Sequence, residues 1–390
     1  MKKTALAFAA VVAAVVLVLA GFAGGFVVGH FRPETTGFER SAQLEDAVQE
    51  VRSIILDQAY EPSDDTSMTV GAIRGMLDSL GDPYAVYFDE EHYSFLDEQT
   101  RGEYYGIGIT VTVREGGLFV VSVFDETPAD AAGLKAEDRI VAVDGQTRET
   151  WDLDEAVQLI RGPEGTSVTL EIERGEPAER LTLDVERARI DIPNLESELI
   201  GEVGYVRLLT FNQHSADDLA DALGDLEKRG AQGFVFDLRD NPGGLLSSSI
   251  DVASLFIEDG VVVSVRDRDG AEESYRADGD PVTDKPLVVL INENSASASE
   301  IVAGALQDYE RATLVGVKSF GKGSVQQIEE LSFGGAVKLT TSRYFTPQGR
   351  SIDKVGLTPD VVVEMEPADQ AERETDVQLQ RALEIVRGEL

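Results

Sequence analysis

The chain has 390 residues, enough for two or three folded units, and 42% of them are hydrophobic, ample material for a core. Its formal net charge of -38, from 72 acidic against 34 basic residues, repels phosphate backbones and argues against nucleic-acid binding. Cysteine is absent, which excludes thiol nucleophiles, disulfides and thiolate-bound metals. The acidity itself reads as a solubility adaptation. The three histidines, His30, His92 and His214, show no metal-ligand spacing, and His92 and His214 read as solvated loop residues. No metal or other cofactor is expected.

Lys2 and Lys3 precede an uncharged apolar stretch over residues 4–29, long enough to cross a bilayer and long for a cleaved signal. The lysines favour a cytoplasmic N-terminus, against which His30 and Arg32 on the far side weigh somewhat. The expectation is a single-pass anchor over 1–30 with an external catalytic region, or a secreted protein if Ala20-Gly21 or Ala23-Gly24 is cut. Residues 31–100 read as a polar tether and a small helical module. Leu44, Val48, Val51, Ile55 and Tyr60 recur at helical spacing, and a second helix over 72–80 stops at Gly81-Asp82-Pro83.

From 101 to 188 the pattern becomes β-rich. ITVTV and LFVVSVF flank the hairpin-like Glu115-Gly116-Gly117, a helix is predicted over 154–160, and SVTLEIER and ERLTLDVER read as strands. From 189 to 366 strands and helices alternate. VGYVRLL, a helix over 216–226 and GFVFDLR form one βαβ unit; KPLVVLI, a helix beginning among the serines near Ser297 and ATLVGV form another. A helical tail closes the chain over 367–390.

Three segments of the third region carry possible chemistry. In SASASEIVAGALQDY a helix starts among serines, so a serine hydroxyl there lies near free backbone amides and the positive helix end, which would stabilise an oxyanion. The competing reading is a capping box, Ser297-Ala-Ser-Glu300, with the serine only a cap. In SFGKGSVQQ, Lys322 stands between Gly321 and Gly323 in a chain with nine lysines. Buried and neutral, such an amine can take a proton from a serine; the alternative is a surface loop lysine. Gln326, on a strand, would share the face of Lys322 and could orient its amine. Gly316 to Lys322 also spells GxxxxGK, a phosphate-loop start, but Gly323 replaces the required Ser or Thr and SVQQIEEL reads as a strand. In FDLRDNPGGLLSSSI, Gly243 and Gly244 before a helix expose amides suited to an anion, or simply make a tight β–α turn.

These segments together resemble the C-terminal processing peptidases, or tail-specific proteases. The likeness includes AIRGMLDSLGDPYAVYF, YYGIGITV, GLKAEDRIVAVDG, LIRGPEGT, DLRDNPGG, SASASEIVAGALQDY, FGKGSVQ and TTSRYFTPQGRSIDKVGLTPD, and spans roughly residues 68–360. The resemblance implies an α/β (α+β multidomain) fold: a ClpP/crotonase-like peptidase core of β-sheet with covering helices, an inserted PDZ β-domain at 101–188 and an N-terminal helical module. It implies a serine endopeptidase cleaving exported or membrane proteins near apolar C-termini. Ser297 would be the nucleophile, Lys322 the general base and Gln326 its positioner, with an oxyanion hole from the amides of Ala298 and of Gly243 or Gly244. In the PDZ domain Tyr105, Gly106, Ile107 and Gly108 would receive the substrate's terminal carboxylate while an adjoining strand pairs with the peptide. Arg161 would couple that domain to the active site. A homodimer is also implied. The alternative from a different class is a membrane-tethered PDZ binding module with an inactive peptidase domain.

Overall fold

The computed structural model describes residues 37–61, 63–175, 177–279, 281–366, 373 and 375–390. The expected membrane-spanning segment, 1–30, lies outside them. Among the described residues no helix is long and apolar enough to cross a membrane.

Compact packing divides the chain between Leu80 and Gly81. The first unit contributes helix α1 (Gly37–Gln58) and helix α2 (Asp65–Asp78). Asp64 caps α2, its carboxylate accepting from Ser67 N at 2.9 Å and Ser67 Oγ at 2.7 Å.

In the second unit, strand β1 (Val86–Phe88) and helix α3 (Glu90–Arg101) come first. The sequence pattern groups residues 31–100, these two elements included, with the N-terminal helical module. Instead β1 pairs antiparallel with β17 (Ala336–Phe345), far along the chain, so pairing rather than sequence proximity decides where this segment packs. Strand β2 (Glu103–Gly106) pairs with β8 (Ala188–Asp191), bringing the two ends of the β-rich insert together. Between them run β3 (Ile109–Arg114), β4 (Gly117–Val123), α4 (Pro128–Ala131), β5 (Arg139–Val143), α5 (Leu153–Ile160), β6 (Ser167–Arg174) and β7 (Glu179–Glu186). The five strands form one antiparallel sheet in the order β3-β4-β5-β6-β7 over its own core, with Leu118, Val120, Ile140, Leu170 and Ile172 fully buried. Glu115 and Gly116, with φ of 51° and 77°, make the tight β3–β4 turn that the sequence pattern predicts.

The third region holds β9 (Leu195–Ile200), β10 (Val203–Leu208), α6 (Ser215–Lys228), β11 (Gly233–Asp237), α7 (Leu246–Ser254), β12 (Val261–Asp267), β13 (Glu272–Arg276), β14 (Leu287–Ile291), α8 (Ala298–Asp308), β15 (Thr313–Gly316), β16 (Ser324–Glu330), β18 (Val361–Val362) and α9 (Val377–Glu389). Six strands pair in the order β18-β15-β14-β11-β10-β9, all neighbours parallel except β9 and β10. GFVFD and LVVLI are apolar at nearly every position because both sheet faces are covered. Phe234, Phe236, Val289 and Ile291 face the core shared with α6, α7 and α8, whereas Val235, Val288 and Leu290 face α9. A second sheet, β1-β17-β12-β13 with β16 also on β17, completes the region. Strand β16 follows the GxxxxGK segment, where a phosphate loop would need a helix.

Helix α9 is locked by charge as well as by packing. Arg239, just past β11, is fully buried, with its guanidinium bonded to Asp237 at 2.6 Å and to Asp376 at 2.8 Å. Asp376 also caps α9, accepting from Leu379 N at 2.8 Å. Removing Asp376 would take one of its two carboxylate partners from the buried guanidinium and the cap from α9. We expect Asp376→Ala to lower the unfolding free energy by about 3 kcal/mol in urea denaturation; a loss indistinguishable from zero would show that this pair does not hold the helix.

Candidate active site

The parallel strands end on one edge, where two turns meet. After β14 the chain runs through Ser295, Ser297 and Ser299, and their surroundings separate them. Ser295 is fully buried and spends its hydroxyl on Leu238 O at 2.7 Å. Ser299 is equally buried and donates to Asn241 O at 2.9 Å. Ser297 alone of the three is part-exposed, at the start of α8 with φ 56° and ψ -114°, a backbone state that non-glycine residues rarely adopt. Such strain persists only where surrounding bonds enforce it. Ala296 N donates to Asn241 O at 3.1 Å on one side, and Ser297 N donates to Glu300 Oε2 at 2.9 Å on the other.

The second turn is Asp240-Asn241-Pro242-Gly243-Gly244, after β11. Asn241 donates to Leu208 O at 2.8 Å, and its side-chain oxygen accepts from Gly243 N at 2.8 Å. Gly243, at φ +98°, presses on the serine segment so closely that an added Cβ would stand 2.8 Å from Ser297 Cβ and 2.9 Å from Ala298 N. Here glycine is required by close approach as well as by conformation. The Gly243 amide is therefore committed to Asn241. The amides of Gly244 and Ala298 have no hydrogen-bond acceptor among the described residues.

The lysine loop closes over this edge. Gly321 and Gly323 leave no room for side chains, since added Cβ atoms would meet Gly356 N at 2.9 Å and Asp353 Cβ at 2.6 Å. Lys322 is thereby drawn inward and half-buried. Its backbone is held from both sides: Lys322 N donates to Glu300 Oε2 at 2.9 Å, and Lys322 O accepts from the Tyr344 hydroxyl. Its Nζ lies 5.1 Å from the centre of the Tyr84 ring and makes no hydrogen bond among the described residues, to Ser297 Oγ included. Burial holds the Lys322 amine below the ordinary lysine range; the nearby charge of Lys338 acts the same way, and Glu300 opposes both.

Glu300 joins these parts. The carboxylate is 1% exposed. Oε1 accepts from Ser319 Oγ at 2.6 Å and Gly321 N at 2.7 Å, while Oε2 takes Ser297 N and Lys322 N, both at 2.9 Å. The capping-box pattern correctly marks Glu300 as a partner of Ser297 N. It contains no sign of the bonds to the lysine loop, which only the fold supplies. Tyr84, Lys338 and Tyr344 likewise escape sequence reasoning, because Lys338 and Tyr344 lie on β17 and Tyr84 in the turn before β1, and the β1–β17 pairing that unites them is long-range.

Gln326 does not reach Lys322. The strand register shifts between Val325 and Gln326, and the amide turns to Ser324 Oγ at 2.6 Å. In the insert, Gly108 has φ +85° against Thr127, and the carbonyls of Ile107 and Gly108 are bonded to Ala129 N and Phe124 N, each at 2.9 Å. The amides of Ile107 and Gly108 have no acceptor among the described residues. Ile107 itself is buried and Tyr105 is exposed on β2. Gly106 is close-packed too, an added Cβ lying 2.8 Å from the Tyr104 ring. Beside this turn, β3 is the edge strand of its sheet, with α5 alongside, leaving an edge free for an added peptide strand. Arg161, which ends α5, bonds Glu98 of α3 at 2.5 Å and lies 4.7 Å above the Tyr104 ring.

A part-exposed serine at a strained helix start, on the same edge as a half-buried lysine and beside an antiparallel β-insert, fits a serine peptidase with a PDZ module. Residues 202–363 match peptidase family S41, residues 119–174 a PDZ domain, and residues 31–92 the N-terminal domain of the activating protease CtpB. A carboxy-terminal-processing protease of Bartonella bacilliformis is 42% identical over 338 residues, 85% of this chain and 76% of that protein. The carboxy-terminal processing protease CtpA of Bacillus subtilis is 37% identical over 85% of this chain and 70% of its own length. A solved structure described as an S41 protease from Bacteroides fragilis shares the fold at 17% identity, with a TM-score of 0.50 and 87% and 97% of the two chains covered. The chain belongs to the carboxy-terminal processing proteases of peptidase family S41. It is a serine-type hydrolase acting on proteins or peptides, and the alternative of an inert peptidase half finds no support.

In Glu300→Gln one oxygen becomes an NH2 facing two donors, with the side-chain volume retained. Misplacing either segment by about 1 Å costs on the order of 100-fold in rate. We expect that loss in kcat on a flexible peptide, and wild-type kcat in this variant would show that the carboxylate does not align the site.

Proposed function

We propose that this protein cleaves exported or membrane proteins near apolar C-termini through a Ser297–Lys322 dyad. The observation that carries the reading is the shared anchoring of both segments by Glu300. The neutral Lys322 amine takes the Ser297 hydroxyl proton as Oγ bonds to the scissile carbonyl carbon. The resulting ammonium then protonates the leaving amine as the C–N bond breaks, and water, activated by the neutral amine, releases the acyl group. The unpartnered amides of Gly244 and Ala298 support an oxyanion role for these two, with Gly243 supplying the close approach. Gln326, bonded to Ser324 in this state, would have to turn to serve the amine. The amides of Ile107 and Gly108 would take the substrate's carboxylate, with the tail pairing along β3.

The apolar stretch over 4–29 after two lysines supports a single-pass anchor with the catalytic region outside the cytoplasm, and dimerisation follows from family resemblance alone.

Ser297→Ala and Lys322→Ala should each abolish cleavage of an unstructured apolar-tailed peptide while leaving tail binding intact, and a serine-directed covalent probe should label Ser297. Full turnover by either variant removes the dyad. Because the base works unprotonated and its amine is held below the ordinary lysine range, kcat/KM should rise with pH through that lowered value. A flat profile from acid to weakly basic pH contradicts a lysine base.

A further inference from the structure

The amine on which this chemistry depends sits on an aromatic face. In the turn before β1, Tyr84 N donates to Asp82 Oδ1 at 2.9 Å, and Asp82 Oδ2 accepts from Thr340 N of β17 at 3.3 Å. Pinned in this way and continued by the β1–β17 pairing, the segment offers aromatic rings to two lysines. Lys322 Nζ lies 5.1 Å from the Tyr84 ring centre, and Lys338 Nζ lies 5.2 Å from that of Phe88. A ring face attracts an ammonium through its quadrupole and has no comparable attraction for a neutral amine.

We propose that Tyr84 is a positioning residue for the reaction: its ring holds the Lys322 amine as an ammonium, away from the Ser297 hydroxyl, until the amine is deprotonated and released to it. The inference rests on Lys322 being the base. Besides the Tyr84 ring, the charged or titratable groups facing Lys322 are Lys338 and Tyr344 of β17 and Glu300 of α8. Lys338 disfavours the ammonium and Glu300 favours it. The Tyr344 phenol, whose own ionisation burial pushes far up, stays neutral. The ring therefore sides with Glu300 against burial and Lys338. Deleting it should make the base available at lower pH.

The test is the pH dependence of kcat/KM for the full chain on a flexible apolar-tailed peptide. In Tyr84→Leu, and in Tyr84→Met as a second ringless variant, the acid limb should move down by about half to one pH unit. Tyr84→Phe, which keeps the ring, should keep the parental limb. Thermal transitions identify which variants are folded, and the limb is read from those. Parental limbs in the ringless variants, or an equal shift in Tyr84→Phe, overturn the proposal. Lys322→Ala distinguishes the two levels: if it still cleaves, the base assignment itself fails, whereas an inactive Lys322→Ala beside unshifted ringless variants removes only the role of Tyr84.

Discussion

The buried carboxylate of Glu300 is the constraint on which the catalytic edge depends. Burying a charge is costly unless each oxygen is satisfied. Here two oxygens receive four close donors, three of them backbone amides of the serine and lysine segments. The ion is tolerated only while Ser297, Ser319, Gly321 and Lys322 keep their places. The dependence runs the other way as well, because Ser297 holds a strained φ of 56° that its own sequence would not choose. One interaction thus fixes two segments, the turn into α8 and the loop between β15 and β16, and a change at either is felt by the other.

The PDZ module is tied to the same edge through helix α3. Arg161 at the end of α5 grips Glu98 and Tyr104, and Gln158 of α5 donates to Glu91 at 2.5 Å. On its other side, α3 reaches the lysine-bearing sheet through the Tyr93 hydroxyl, which donates to Glu330 of β16 at 2.9 Å. The strand before α3, β1, follows the Tyr84 turn. Helix α5 is thus joined through α3 to the strand that carries Gln326, and α3 follows directly on the segment that holds Tyr84. Several of these links are exposed hydrogen bonds, worth little individually.

Local physics explains what was readable beforehand. The runs GFVFD and LVVLI, the Glu115-Gly116 turn and the helix after the serines each express a period or turn preference carried within a few residues, and the elements formed accordingly. Lys322 between two glycines was also legible, and both glycines are demanded by contact with the turn at 353–356. The setting of β1 and α3 was not legible, because it depends on pairing with a strand about 250 residues away. The direction of Gln326 was not legible either. A bulge cannot be seen in an alternating pattern, and it turned the amide toward Ser324.

Charge poses a problem for a lysine base in this chain. A net charge of -38 creates a negative field, which favours the ammonium and would keep the base protonated. Screening at physiological salt limits surface carboxylates to about 8 Å, so most of that charge does not reach the site. What remains is local: Glu300 and the Tyr84 ring favour the charged amine, whereas burial and Lys338 disfavour it. Lys338 is half-buried too, and desolvation pushes its own amine down, so its repulsion of Lys322 is greatest when it is itself protonated. Glu300 cannot be dispensed with, since it aligns both segments. The lowering of the base must then come from desolvation and from a second lysine placed nearby, which gives a reason for a rare residue type to occur twice at one edge of an acidic protein.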